Sequence, residues 1–168
     1  MSQVITAPNI DLPKYPTVFL GGGITGCDDW QKDVIKYLED EDITIFNPRR
    51  ESFDVSDKSS TIQQIEWEFK KLERADIFSM YFCDSDSVQP ICLYELGRNV
   101  VRMQSKYPLT WKARIIVGCE RGYKRAEDVL YQLGYAMETF TVDMDTDPLS
   151  HAWRIREALA FFQFKGEV

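Results

Sequence analysis

Short apolar segments alternate with longer segments of helical periodicity along most of this chain, and the alternation limits the folds open to it. The apolar segments cover residues 17–20, 43–46, 76–82, 114–118 and 139–142. Each has the length of a buried strand, whereas the segments between them repeat apolar residues every three to four positions, as in Trp30, Val34 and Leu38. Strands that alternate with helices form right-handed βαβ units. The sequence therefore predicts an α/β fold, with a single doubly wound, mainly parallel five-stranded sheet flanked by helices, of the Rossmann or flavodoxin-like type.

The length and the N-terminal segment predict one domain preceded by an arm. The chain has 168 residues, which is the size of a single domain. Residues 1–16 contain Pro8, Pro13 and Pro16 and are predicted to form an extended N-terminal arm outside the core. Residues 17–168 are predicted to form the domain. Since no apolar run approaches the about 18 residues of a membrane span and residues 1–16 lack the features of a signal peptide, we expect a cytoplasmic protein without membrane contact.

Composition narrows the chemistry that the chain can perform. Its formal net charge of -7 argues against binding a nucleic-acid polymer, which needs a basic surface, although backbone amides can still bind a nucleotide. The only histidine, His151, begins a predicted terminal helix, so we expect it to be packed or solvated and not catalytic. The cysteines form no C-x-x-C pair and no cluster, so neither a metal site nor a redox pair is predicted. Acid–base chemistry is therefore left to carboxylates.

A Gly-rich segment follows the first predicted strand and precedes a helix. Its G-x-G-x-x-G spacing is typical of dinucleotide-binding loops, and glycines also allow a ligand to lie against bare backbone. The second strand ends in Asn47 and not in the acidic residue that would bind a ribose, although Arg49 and Arg50 could bind a 2'-phosphate. A cofactor site, a tight turn and a substrate loop therefore remain open on these residues alone. The glycines of the motif are Gly21, Gly23 and Gly26.

Two acidic residues lie near the edge of the predicted sheet where ligands bind. Glu95 falls in the first turns of a helix that follows the third strand, and open α/β sheets bind ligands beyond the carboxyl ends of their strands. A glutamate at that position can instead simply stabilise the helix dipole. Glu68, next to Trp67 in the preceding helix, would alone be read as part of a solvated face.

Taken together, these segments resemble the nucleoside 2-deoxyribosyltransferase family, in particular its bacterial and phage-type branch. The resemblance extends from residue 17 to about residue 135 and is carried by residues 19–26, Trp30, residues 47–50, Trp67-Glu68, Ala75-Asp76 and residues 94–97. Deoxynucleoside-monophosphate N-glycosidases of the same superfamily share the Gly-rich loop and the Glu-Leu-Gly motif. The resemblance implies the transfer of 2-deoxyribose between nucleobases, with no cofactor and no metal.

The resemblance also implies catalytic roles. Glu95 matches the nucleophile that attacks C1' of the deoxynucleoside, and Glu68 matches an acidic residue that holds the sugar and the nucleophile. Such a pair suits retaining glycosyl transfer through an oxocarbenium-like transition state. The acid that protonates the leaving base has no direct match, because Gln89 stands where transferases have Asp. Asp86 in the same loop is the candidate for that role. Phe19 replaces a tyrosine of the family and lacks its hydroxyl group.

The remaining implications concern substrate and assembly. Asp128 matches a residue that a neighbouring subunit supplies, so a homodimer or higher homo-oligomer is expected. The expected ligands are a deoxynucleoside and a free nucleobase, and Asp28 and Asp29 near the Gly-rich loop disfavour a 5'-phosphate. Alternatives are an N-glycoside hydrolase of the nucleoside or its 5'-monophosphate, and a non-catalytic nucleotide-binding module. The predicted substrate-binding residues are Phe19, Gly22, Gly23, Ile24, Asn47, Arg49, Trp67, Gln89 and Asp128.

Overall fold

A computed structural model describes residues 1–52, 56–140 and 142–165, the last three of them by their backbone alone. Five strands form one parallel sheet in the order β1-β3-β2-β4-β5. The strands are β1 (Gln3–Thr6), β2 (Thr17–Gly22), β3 (Thr44–Asn47), β4 (Ile77–Phe82) and β5 (Ile115–Cys119). The predicted α/β class, with one parallel five-stranded sheet, is confirmed.

Helices cover both faces of the sheet, as expected for parallel strands that are buried on both sides. Trp30 and Val34 of α1 pack with Ile155 of α5 on one face. Leu96 of α3 and Val129 of α4 pack with α2 on the other face. No helix in the described ranges is both long enough and apolar enough to cross a membrane. The helices are α1 (Trp30–Tyr37), α2 (Lys58–Arg74), α3 (Pro90–Lys106), a 3-10 helix (Trp111–Arg114), α4 (Ala126–Met137) and α5 (Pro148–Lys165).

The N-terminal arm contributes one strand that the sequence analysis did not anticipate. Residues 3–6 pair with β3 in parallel register, and the side chain of Ile5 is 1% exposed. The backbone N–H of Ala7 continues the pairing by donating to the carbonyl of Asn47. This correction has a tertiary cause, because a four-residue strand is stabilised by pairing with β3 and by burial of one side chain. The prolines that suggested an arm lie after the strand.

The fifth predicted strand, residues 139–142, is a second correction. Thr139, Phe140 and Val142 belong to no strand, and residue 141 lies outside the described residues. Helix α4 continues to Met137, just before this segment. Phe140 is fully exposed, so the apolar alternation there does not report burial. The chain next to β5 instead forms a single bridge between Gly118 and Asp145.

Candidate active site

A pocket of about 230 Å³ opens at the carboxyl ends of β2 and β4, beside the first turns of α3. This is the edge at which doubly wound sheets bind ligands. Seven of the twelve residues predicted to form the site line the pocket, and they include both glutamates. The residues lining the pocket are Phe19, Gly21, Gly22, Gly23, Ile24, Thr25, Pro48, Glu68, Ser87, Gln89, Pro90, Ile91, Cys92 and Glu95.

Two helices bring the carboxylates together. Helix α3 begins at Pro90, whose missing N–H costs nothing in a first turn. Leu96 faces the core, which leaves Glu95 half-buried at the pocket wall. In α2, Trp67 is buried and places the adjacent Glu68, also half-buried, on the side of the same pocket. The pocket therefore contains two carboxylates from different helices.

The pKa values of both glutamates are raised in the pocket. Burial, with a further contribution from the charge of Glu68, raises the pKa of Glu95 from 4.5 to about 8, and Arg98 opposes this shift. Burial also raises the pKa of Glu68, whereas Gln64 and Arg50 lower it. Two interacting carboxyl groups titrate as a pair. We expect the pair to hold about one proton near neutral pH, so that one group can donate a proton while the other is ionised.

Gln64 orients Glu68 and was not identified from the sequence. Its side-chain N–H group donates to Glu68 Oε1 at 2.7 Å and to the carbonyl of Pro48 at 2.8 Å. The carbonyl of Pro48 fixes the orientation of the amide, because only the N–H side can face a carbonyl oxygen. The four-residue spacing between Gln64 and Glu68, which places them on one helix face, is the signal that could have revealed this contact.

The Gly-rich loop forms the opposite wall and lies directly against the sheet. A Cβ atom at Gly22 would overlap the carbonyl of Tyr81 in β4, so no larger residue fits there. Trp30 Nε1 donates a buried hydrogen bond of 3.0 Å to the carbonyl of Gly23. These contacts fix the backbone of Gly23 where it lines the pocket.

Arg49 holds the same loop from outside the pocket. Its guanidinium group donates to the carbonyls of Ile24 at 3.3 Å and Asp28 at 2.9 Å, and to Gln31 Oε1 at 2.9 Å. It also forms an ion pair of 3.4 Å with Asp29. The structure thus places the predicted substrate-binding Arg49 in contacts with the loop and not on the pocket lining.

Gln89 closes the loop between β4 and α3 through its buried amide. Its Nε2 donates to the carbonyl of Cys83 at 2.7 Å, and its Oε1 accepts from the N–H of Cys83 at 3.2 Å. Both polar ends of the amide are therefore bonded within the loop. Asp86 in the same loop is exposed and does not line the pocket. Glu68 and Glu95 are the carboxylates among the lining residues.

Three other predicted residues lie outside the pocket. Asn47 Oδ1 accepts from the backbone N–H of Arg49 at 3.0 Å in the turn after β3. Trp67 packs behind Phe19, with 6.3 Å between their ring centroids, and forms part of the core. Asp128 is exposed on α4, where it forms an ion pair with Arg125. These residues support the surroundings of the pocket or lie on a different surface.

His151 is completely buried in a polar contact chain. Its Nε2 lies 2.7 Å from Ser79 Oγ, and its Nδ1 lies 3.0 Å from Asp145 Oδ2. The order of the three side chains resembles a serine-hydrolase triad. All three are nevertheless buried, Ser79 and His151 with no exposed surface, so no substrate reaches the hydroxyl group. The histidine is packed, and its role is to join α5 to the sheet.

The carboxyl edge of a doubly wound sheet is the usual place of its ligand site, and a pair of carboxylates is what most glycosidases use to cleave a glycosidic bond. Residues 15–123 match the family described as nucleoside 2-deoxyribosyltransferase like, and the chain belongs to this family. The matched segment contains every residue that lines the pocket. The resemblance inferred from the sequence is confirmed. No curated protein matches the chain at the required significance.

Proposed function

We propose that this protein transfers 2-deoxyribose between the nucleobases of 2'-deoxyribonucleosides through a covalent glycosyl ester on Glu95. The observation that carries the proposal is the convergence of Glu95 and Glu68 with the bare backbone of the Gly-rich loop in one pocket. Membership of the deoxyribosyltransferase-like family supports the substrate class.

The proposed reaction has two steps of the same kind. In the first, an ionised oxygen of Glu95 forms a bond to C1' while the bond from C1' to the base nitrogen breaks, and the departing base takes a proton from Glu68. In the second, a nitrogen of an incoming base attacks C1', the ester bond to Glu95 breaks, and Glu68 accepts the proton released by that base. If water attacks instead, the same site hydrolyses the nucleoside.

We assign the acid–base role to Glu68 because of its surroundings. Glu68 and Glu95 are the carboxylates that line the pocket. Since Glu95 is proposed as the nucleophile, the proton for the leaving base is assigned to Glu68. The amide of Gln89 is already bonded to the backbone of Cys83 and cannot donate a titrating proton. The exposed position of Asp86 argues against the role that the sequence suggested for it.

The backbone at Gly22, Gly23 and Ile24 is proposed to contact the sugar, with the ring of Phe19 beneath it. The absence of side chains at Gly22 and Gly23 allows the ligand to approach the main chain closely. The substrate is proposed to be the free nucleoside. The guanidinium group of Arg49, which reaches the loop, is already bonded to loop carbonyls and to Asp29.

The active form is proposed to be a homodimer or a higher homo-oligomer. An apolar groove of about 440 Å³ runs between α3 and α4 and includes Leu96, Val100, Val129 and Leu133, with Asp128 at its edge. Leu96 follows Glu95 in α3, so a subunit docked in this groove would contact the helix that carries Glu95. Light scattering at micromolar concentration tests the assembly, and a strictly monomeric mass contradicts it.

One incubation tests the reaction. The protein is mixed with thymidine and adenine, and the products are separated by chromatography. Deoxyadenosine together with thymine is the expected result, and Glu95→Ala should abolish it. Glu66→Ala is the matched control, because Glu66 lies on the exposed face of α2 and pairs only with Lys70 among the described ion pairs. Free deoxyribose without a new nucleoside indicates hydrolysis, and absence of both products contradicts the proposal.

A further inference from the structure

Two cysteines that are distant in the sequence meet behind the Gly-rich loop. Cys83 Sγ lies 3.8 Å from the carbonyl of Gly23, directly after β4. Cys27 Sγ also lies beside Gly23, where it would be 2.6 Å from a Cβ atom at that position. Both sulfur atoms therefore lie against Gly23, and the neighbouring Cys27 thiol is the second cause, after burial, of the raised pKa of the Cys83 thiol. This convergence is a tertiary feature that the spacing of the cysteines in the sequence does not show, so no redox pair was predicted.

The two thiols differ in their exposure to solvent. Cys27 is half-buried in the loop, and its Sγ lies 3.7 Å from the carbonyl of Thr25. Cys83 is buried at the end of β4, and its burial raises the pKa of its thiol. A thiol of low thiolate content and low exposure reacts slowly with oxidants in solution. Cys27 is therefore the thiol that meets an oxidant first, and Cys83 is the neighbour that can react with the oxidised sulfur.

We propose that Cys27 and Cys83 form a reversible disulfide when the protein meets a peroxide, and that this bond changes the wall of the pocket. The sulfur of Cys27 attacks one peroxide oxygen, the O–O bond breaks, and the leaving oxygen takes the Cys27 proton. The sulfur of Cys83 then attacks the resulting sulfenic acid, and its S–O bond breaks. The hydroxide that departs takes the Cys83 proton to form water. The two thiols lose two electrons in total, and the peroxide gains them.

The geometry around Gly23 explains why the bond would alter the pocket. A disulfide needs sulfur atoms about 2.0 Å apart, whereas Cys27 and Cys83 are free thiols that lie against different atoms of Gly23. Gly23 cannot give way toward α3, because a Cβ atom there would also lie 2.6 Å from Gln89 Oε1. The movement must therefore come from the loop that carries Cys27, and this loop includes Ile24 and Thr25 of the pocket wall.

The covalent step is independent of the proposed function, whereas its effect on turnover rests on that function. The full-length protein is treated with hydrogen peroxide, its free thiols are counted, and a non-reducing digest is analysed by mass spectrometry. We expect the loss of two thiols per chain and a peptide linking Cys27 to Cys83, lighter by two hydrogen atoms. Dithiothreitol should reverse both changes. Cys119→Ser is the matched control and should keep the link, and Cys27→Ser should lose it.

Deoxyribosyl transfer is measured on the same samples. A displacement of about 1 Å in a reactive site can cost about 100-fold in rate, so we expect oxidation to lower turnover by at least about tenfold, with recovery after reduction. A link between other cysteines or between two chains, or overoxidation of Cys27 without a link, overturns the proposal. An intact link with unchanged turnover overturns the effect on the pocket. If the link forms but the reduced protein transfers no sugar, the disulfide stands and the proposed function fails. Mapping of the wild type decides the covalent step even if Cys27→Ser fails to fold.

Discussion

Replacement of Glu95 by Gln keeps the shape of the side chain and removes a carboxylate that the fold has to accommodate. The pKa of Glu95 is 4.5 in its ordinary state and about 8 in the fold, chiefly because of burial. The folded state therefore binds this proton more tightly than the unfolded state. By linkage, the wild-type protein loses stability as the pH rises from 4.5 to about 8, and above that range the loss is complete. Glu95→Gln should escape this loss.

The structure sets the size of the effect. One pKa unit corresponds to about 1.4 kcal/mol, so the full difference between the two states of Glu95 amounts to about 5 kcal/mol. This is an upper bound, because Glu68 shares the proton and Arg98 offsets part of the charge. We therefore expect Glu95→Gln to raise the free energy of unfolding by about 2 kcal/mol at alkaline pH. Substitutions that remove a destabilising group from a functional site give gains of this size.

Urea unfolding followed by tryptophan fluorescence measures the difference. The comparison is made near pH 4.5, where the gain should be small, and near pH 9, where it should be complete. Glu66→Gln on the exposed face of α2 is the control, and it should give no gain at either pH. An equal gain at both pH values, or a variant less stable than the wild type at alkaline pH, would refute the electrostatic reasoning.

Three further predictions concern the loop, the buried histidine and the substrate. Trp30→Phe removes the hydrogen bond to the carbonyl of Gly23, and thermal melts and kinetics should show a loss of about 1–3 kcal/mol in stability together with reduced kcat/KM; unchanged values would contradict the role of Trp30. Burial lowers the pKa of His151 below 6.5, so stability should fall as the pH drops through 6.5, and His151→Gln should flatten this dependence in melts at acidic and neutral pH. Thymidine should exceed its 5'-monophosphate in kcat/KM by about tenfold; the reverse preference, removed by Arg49→Ala or Arg50→Ala, would place the protein with the monophosphate glycosidases.

The sequence is sufficient for the parts of the site that depend on topology. The carboxyl ends of parallel strands meet at one edge of a sheet, so a glycine loop after one strand and a glutamate at the start of a following helix must approach each other. On this ground the sequence predicts that Gly23 and Glu95 lie close together. The same reasoning applies to the core, where the periodicity of α1 predicted the burial of Trp30 and Val34.

The contacts that the sequence does not predict depend on tertiary structure. Gln89 adopts a left-handed backbone conformation, with φ of 50°, and its side-chain amide donates a hydrogen bond to the carbonyl of Cys83. The long side chain of Arg49 could reach either the ligand or the loop, and only the structure shows that it reaches the loop. The strand at residues 3–6 exists because β3 offers an open edge. The approach of Cys27 and Cys83 to Gly23 likewise depends on where two loops end.

Trapping of the covalent intermediate tests the central claim most directly. A 2-fluoro analogue of the deoxynucleoside slows the second step, in which base or water releases the sugar. The sugar should therefore remain attached to the nucleophile. The protein is digested after incubation, and the labelled peptide is sequenced by mass spectrometry. We predict that the fluorinated sugar is attached to the carboxylate of Glu95 and that Glu95→Ala takes up none. A label on another carboxylate, or full transfer activity in Glu95→Ala, would contradict the account.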